Sequence, residues 1–168
     1  MTQRPSVYLD TSFVSMLFLR GRDVRNVGRH MMSREWWEDE AASFLVFSSR
    51  FTEAELAQGD YRWKEKAIGF VRRLRYLPRT REVEVCAELL LDEGIVPDAK
   101  RGDAAQLAIA TTHRMDYLMS WNHAHLVNPQ VQDRMQRLCA KLGWRCPWLV
   151  NPETIPKARL GHRLSRRD

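Results

Sequence analysis

Residues 6–12 read Ser6-Val7-Tyr8-Leu9-Asp10-Thr11-Ser12. The first four are short and β-prone, and Asp10-Thr11-Ser12 is a polar turn of helix-capping residues. A buried strand therefore passes directly into a helix, with Asp10 at the strand's carboxyl end. Residues 20–32 read as a polar, glycine-bearing loop, followed by a helix over 33–43 with Ser33 as N-cap. The pattern then predicts a second strand over 44–47 and a short helix over 51–58 closed by Gly59. Trp63, Ala67, Phe70, Val71, Leu74 and Leu77 recur at helical spacing and predict an amphipathic helix over 61–77, stopped by Pro78. A helix over 81–92 follows, then a loop over 94–101 containing Pro97, and a helix opened by Asp103. The chain continues with a strand over 117–120, a turn at Trp121-Asn122-His123, a brief extended piece at Leu126 and Val127, and a helix over 129–142. Strands alternating with helices predict an α/β fold, a three-layer α/β/α domain with a mainly parallel central sheet.

The chain has 168 residues, 44% of them hydrophobic. That is the size of one ordinary domain, able to enclose a core without disulfides or a structural metal. The domain is expected over 1–150, with 151–168 a basic tail lacking apolar periodicity and expected to be disordered. Cys86, Cys139 and Cys146 are odd in number, widely spaced and free of any CxxC pair, which fits a reducing compartment and neither a disulfide framework nor a zinc clip. The apolar stretch from Phe13 to Leu19 is too short to span a bilayer and wrongly flanked for a secretory signal, so a cytoplasmic protein with no membrane partner is expected. The balance of 27 Lys plus Arg against 21 Asp plus Glu gives +6, which favours polyanionic partners. Much of that excess lies in the tail, at Arg159, Arg163, Arg166 and Arg167.

Open parallel sheets place their sites at the carboxyl ends of strands, near the switch in strand order. Asp10, Glu55 in the helix after the second strand, and Asp103 at the head of its helix are candidates there. Carboxylates brought close together repel and hold protons unless a cation lies between them. Magnesium or manganese relieves that conflict, prefers oxygen ligands, and can activate a bound water against phosphorus. No nucleophile motif is present: no GxSxG, no phosphate-binding glycine loop and no HExxH. Each acid also has a plain structural reading. Asp10 is a good helix cap, Glu55 a solvated helix charge, and Asp103 a favourable first-turn acid.

The pattern as a whole resembles the PIN-domain family, and most closely its VapC-like toxins. The likeness is carried by Val7-Tyr8-Leu9-Asp10-Thr11-Ser12, by Thr52-Glu53-Ala54-Glu55-Leu56 with Gly59, and by Gly102-Asp103-Ala104-Ala105-Gln106-Leu107-Ala108-Ile109-Ala110 followed by Asp116-Tyr117-Leu118-Met119-Ser120-Trp121-Asn122. It covers about residues 6–150. The resemblance implies a magnesium- or manganese-dependent endoribonuclease, the toxin of a toxin–antitoxin pair, whose acids meet in a groove. It implies Asp10 and Asp103 as metal ligands, Glu55 as the second acid with Glu53 as its competitor, and Thr11 and Ser12 as supporting hydroxyls. Its partners would be RNA and a protein antitoxin received within residues 30–75, and a homodimer is common among relatives.

One departure stands out. Many relatives place an aspartate in the turn after the last strand, where this chain has Asn122, which supplies an oxygen but no charge. His125 falls near another acidic position, with packing favoured over phosphate contact. Asp116 precedes its strand and is expected to be structural. Candidates for RNA contact are Arg20, Arg22 and Arg25 in the loop after the first helix, and Lys100 and Arg101 before Asp103. Trp36 and Trp37 would stack on an unpaired base or form a docking face. The principal rival is a PIN-like domain that binds RNA or an antitoxin and cleaves nothing. A haloacid-dehalogenase-like phosphatase is more distant, because its second aspartate would fall at Ser12.

Overall fold

The computed structural model describes residues 4–19 and 21–157. Arg20 and residues 158–168, which hold the tail arginines, lie outside the described residues. Five strands form one all-parallel sheet: β1 (Ser6–Leu9), β2 (Leu45–Ser48), β3 (Arg75–Tyr76), β4 (Tyr117–Met119) and β5 (Trp148–Val150), in the order β3-β2-β1-β4-β5. The central strand β1 pairs through Val7 with Val46 on one side and with Tyr117 on the other. The chain builds outward from β1 to β3, then crosses back to lay β4 and β5 on the far side. That reversal puts the switch in strand order at β1 and β4.

Alternation along β1 divides the core. Tyr8 points into a cluster with Leu118, Leu149 and the buried faces of α5 (Arg81–Asp92), α6 (Arg101–Thr112) and α7 (Pro129–Leu142). Val7 and Leu9 point into the opposite cluster, with Met119, Val150 and residues of α1 (Thr11–Phe18) and α4 (Lys64–Val71). Side chains two apart on a strand share a face, so one four-residue strand serves both layers. The result is a three-layer α/β/α domain. No helix among the described residues is long and apolar enough to cross a membrane.

Several local expectations are corrected. Residues 20–32 are not wholly loop, because α2 (Val24–Glu35) begins at Asp23, whose side chain accepts from the Asn26 N–H. The helix continues through a π turn at Trp36–Glu40 and a 3-10 turn at Ala41–Ser43. Ser33 is thus a mid-helix residue, fully buried, whose hydroxyl accepts from Trp121 Nε1 at 2.8 Å. Trp36 is not a surface ring for bases or partners either: it is 3% exposed and meets Phe13 edge-on at 5.5 Å. The helix expected over 61–77 ends at Val71, because the Leu77 N–H goes instead to Ser48 O at 2.8 Å, beside the short strand β3. Leu126 and Val127 are not extended: both their N–H groups bond to Asn122 O. The edge strand β5 was not anticipated. Beyond it, Asn151 and Ile155 are buried against the sheet's end.

At the amino ends of the strands, Asp116 accepts from the Ser6 N–H and hydroxyl, both at 2.8 Å, and pairs with Arg145. It ties β1 to the start of β4, far along the strand from Asp10, as its position before the strand suggests.

Candidate active site

Asp10 follows β1 and caps α1. Its Oδ1 accepts from the Phe13 N–H at 2.9 Å and from the Ser12 hydroxyl at 2.8 Å. Ser12 is itself held to the turn after β4, its Oγ accepting from the Trp121 N–H at 2.8 Å and lying 3.1 Å from Ser120 Oγ. The capping and the site readings of Asp10 are therefore compatible. Asp10 is 4% exposed, and burial pushes its carboxyl up to about 6, with the nearby charge of Glu55 adding to the effect against the hydrogen bonds that lower it.

Glu55 comes from α3 (Arg50–Gln58), whose N-cap is Ser49. Its Oε2 accepts from the Thr11 hydroxyl and, at 2.7 Å, from Gln106 Nε2. Its Oε1 lies where α6 begins: a Cβ added at Gly102 would stand 2.8 Å from that atom. Gly102 thus permits a close approach that any side chain would obstruct, and Asp103 is the next residue. A chain of contacts runs from Asp10 through its neighbour Thr11 to Glu55, and from Glu55 to the amino end of α6. Asp103 is half-buried, and no ion pair among the described residues involves Asp10, Glu55 or Asp103.

The competing acid Glu53 is committed elsewhere. It accepts from Arg72 Nε and from the Tyr76 hydroxyl, each at 2.7 Å, and these bonds hold its carboxyl below the usual range. Asn122 follows β4 on the same side of the sheet, but its Oδ1 accepts from the His125 N–H at 3.0 Å and so closes a turn. His125 is half-buried and lines a recess with Gly94, Ile95, Pro97 and Arg134. Of the candidate RNA contacts, Arg22, Arg25 and Lys100 are exposed, with Arg25 inside α2, while Arg101 pairs with Glu88 at 2.8 Å. A groove of about 1110 Å³ is lined by α5 and α6 and borders the site at Phe51 and Gly102, but none of the three carboxylates lines it.

No protein-family model matches the chain, and no curated protein matches it. The site's donor set is all oxygen, suited to a hard divalent ion. Among the described residues no group of three or more His, Cys, Asp or Glu is arranged to hold a metal. Magnesium takes one or two carboxylates and keeps several waters, so a complete protein cage is not what its chemistry requires.

The residue that sequence reasoning passed over is Gln106. It is 2% exposed, and it bonds to Tyr8, Thr11, Thr52 and Glu55. The available signal was an amide in the run Ala104-Ala105-Gln106-Leu107-Ala108, one turn after Asp103 and among small apolar neighbours. A buried amide needs partners, and such a place in a core helix points to a polar cluster beneath it.

Proposed function

We propose that the chain is a metal-dependent endoribonuclease, hydrolysing RNA phosphodiester bonds with magnesium or manganese, and that it is the toxin of a toxin–antitoxin pair. The observation that carries this reading is Asp10: a carboxylate 4% exposed, at the carboxyl end of the central strand, beside a second carboxylate and, among the described residues, with no cationic side chain paired to it. Such an arrangement is costly unless a cation or a proton is shared. Asp10 and Asp103 would hold the ion, and Glu55 would complete the negative environment. When bound, the ion supplies Lewis acidity and an activated water. The chain's own residues orient the site: Ser12 and the Phe13 N–H fix one edge of Asp10, and Thr11 and Gln106 fix Glu55. The likeness to VapC-like toxins supports RNA as the substrate and an antitoxin as the partner.

The second reading is a PIN-like domain that binds RNA or an antitoxin without cutting. It is favoured by the engagement of Asn122 Oδ1 with the His125 N–H, at the position where many members of the PIN-domain family carry an aspartate and some an asparagine. Cleavage of a mixed RNA pool with magnesium, manganese or chelator decides between them. The proposal expects metal-dependent cleavage that Asp10→Asn abolishes while the fold is kept. Full activity in that variant would remove Asp10 from the site, and binding without cleavage by the unmodified chain would favour the second reading.

A further inference from the structure

A primary amide has one acceptor oxygen and two N–H donors, and Gln106 spends all of them. Its Oε1 accepts from the Tyr8 hydroxyl at 2.5 Å and from Thr52 Oγ1 at 3.3 Å. Its Nε2 donates to Thr11 Oγ1 at 2.9 Å and to Glu55 Oε2 at 2.7 Å. The orientation is dictated, since a flipped amide would set its oxygen against a carboxylate oxygen and leave the Tyr8 proton facing an NH₂. Tyr8 is fully buried and keeps that proton, because burial pushes its phenol well above the ordinary value. Its oxygen also lies 2.7 Å from Ser49 Oγ at the head of α3.

The bonds of this one side chain join the three segments that bring the carboxylates. Gln106 lies one turn after Asp103 on α6, Glu55 is on α3, and Thr11 directly follows Asp10. With Oε2 of Glu55 taken by Gln106 and Thr11, its Oε1 accepts no hydrogen bond among the described residues and sits against Gly102. We propose that Gln106 is the positioning residue of this site, its amide oriented by Tyr8 and setting the placement of Glu55 and Thr11 relative to Asp10 and Asp103. Its kinetic consequence rests on the cleavage reading above; its structural consequence does not.

The test has two arms on the intact protein. Kinetically, Gln106→Leu lowers kcat for RNA about 10- to 100-fold, the usual effect of removing a group that orients site residues, with KM unchanged. If that variant does not fold, Tyr8→Phe replaces it, expected to lose several-fold in kcat at constant KM. An unaltered kcat in the folded variant overturns the proposal. In the second arm, the side-chain amide protons of Gln106 are followed by NMR in ¹⁵N-labelled protein. They should be protected from solvent exchange, and should shift when Glu55→Gln removes the charge they bond to. Rapidly exchanging protons indifferent to Glu55→Gln overturn the proposal. If the unmodified chain cleaves nothing, the nuclease reading fails and the NMR arm alone decides the role of Gln106.

Discussion

A carboxylate that caps a helix is ordinarily bathed in water, and Asp10 is not. Its pKa is raised from 3.8 to about 6, so the fold favours its protonated form. The stability linked to this group is fully present below about pH 4 and is lost as pH rises through 6, to a total of about 3 kcal/mol. In chelator, Asp10→Asn keeps an oxygen for the Phe13 N–H and escapes that loss. Thermal unfolding should therefore find the variant more stable than the unmodified chain above pH 6, with the advantage gone near pH 4. Equal stability at both extremes would mean that Asp10 is better solvated than its burial indicates. Magnesium should stabilise only the protein that retains Asp10, by preferential binding to the folded state. Gly102 offers a complementary probe. Gly102→Ala improves helix propensity by up to about 1 kcal/mol, but its Cβ would displace Glu55 Oε1, the movable end of a side chain. Unfolding should report stability equal to or above that of the unmodified chain, while RNA cleavage falls.

Among the elements, α2 and its continuation show what a residue pattern conceals. The helix carries Arg25, Asn26, Gly28 and Arg29 in its first half, a composition that resembles a loop, and its cap is Asp23 rather than Ser33. Ser33 is instead spent on the Trp121 indole, joining α2 to the turn after β4. Ser33→Ala leaves a buried N–H without a partner, and chemical denaturation should find a loss of about 1–3 kcal/mol; no loss would mean that water reaches the indole. By contrast, α5 and α7 match their expected limits because both boundaries of each are written locally. Thr80 and Asn128 accept from the N–H groups of Val83 and Val131, Pro129 occupies the first turn, and Gly143 closes α7 with φ 67°. The edge strands β3 and β5 were unreadable for a different reason: two and three residues long, they are strands only because β2 and β4 are there to pair with them. The same division runs through the site. Asp10, Glu55 and Asp103 are marked by their neighbours in sequence, whereas the role of Gln106 exists only once Tyr8, Thr11 and Glu55 have been brought to it.

For the whole molecule, the net charge of +6 makes a prediction independent of any single side chain. Binding of single-stranded RNA by the Asp10→Asn protein should weaken linearly in log–log coordinates as salt rises, with a slope of about −0.7 for each phosphate neutralised. Filter binding measures it, and an affinity indifferent to salt would remove counterion release as the source of attraction. The three-layer architecture was legible because hydrophobic segments of two periods alternate along the chain; the strand order required the crossing from β3 back to β4, which no local pattern encodes. That crossing has a temporal side. Synthesis proceeds from the amino terminus, so Asp10 and Glu55 emerge from the ribosome well before Asp103 and Gln106, and β4 follows later still. A nascent chain that has not yet released α6 lacks both the third carboxylate and the amide that braces the second. The proposed site is thus incomplete until α6 and β4 have been translated.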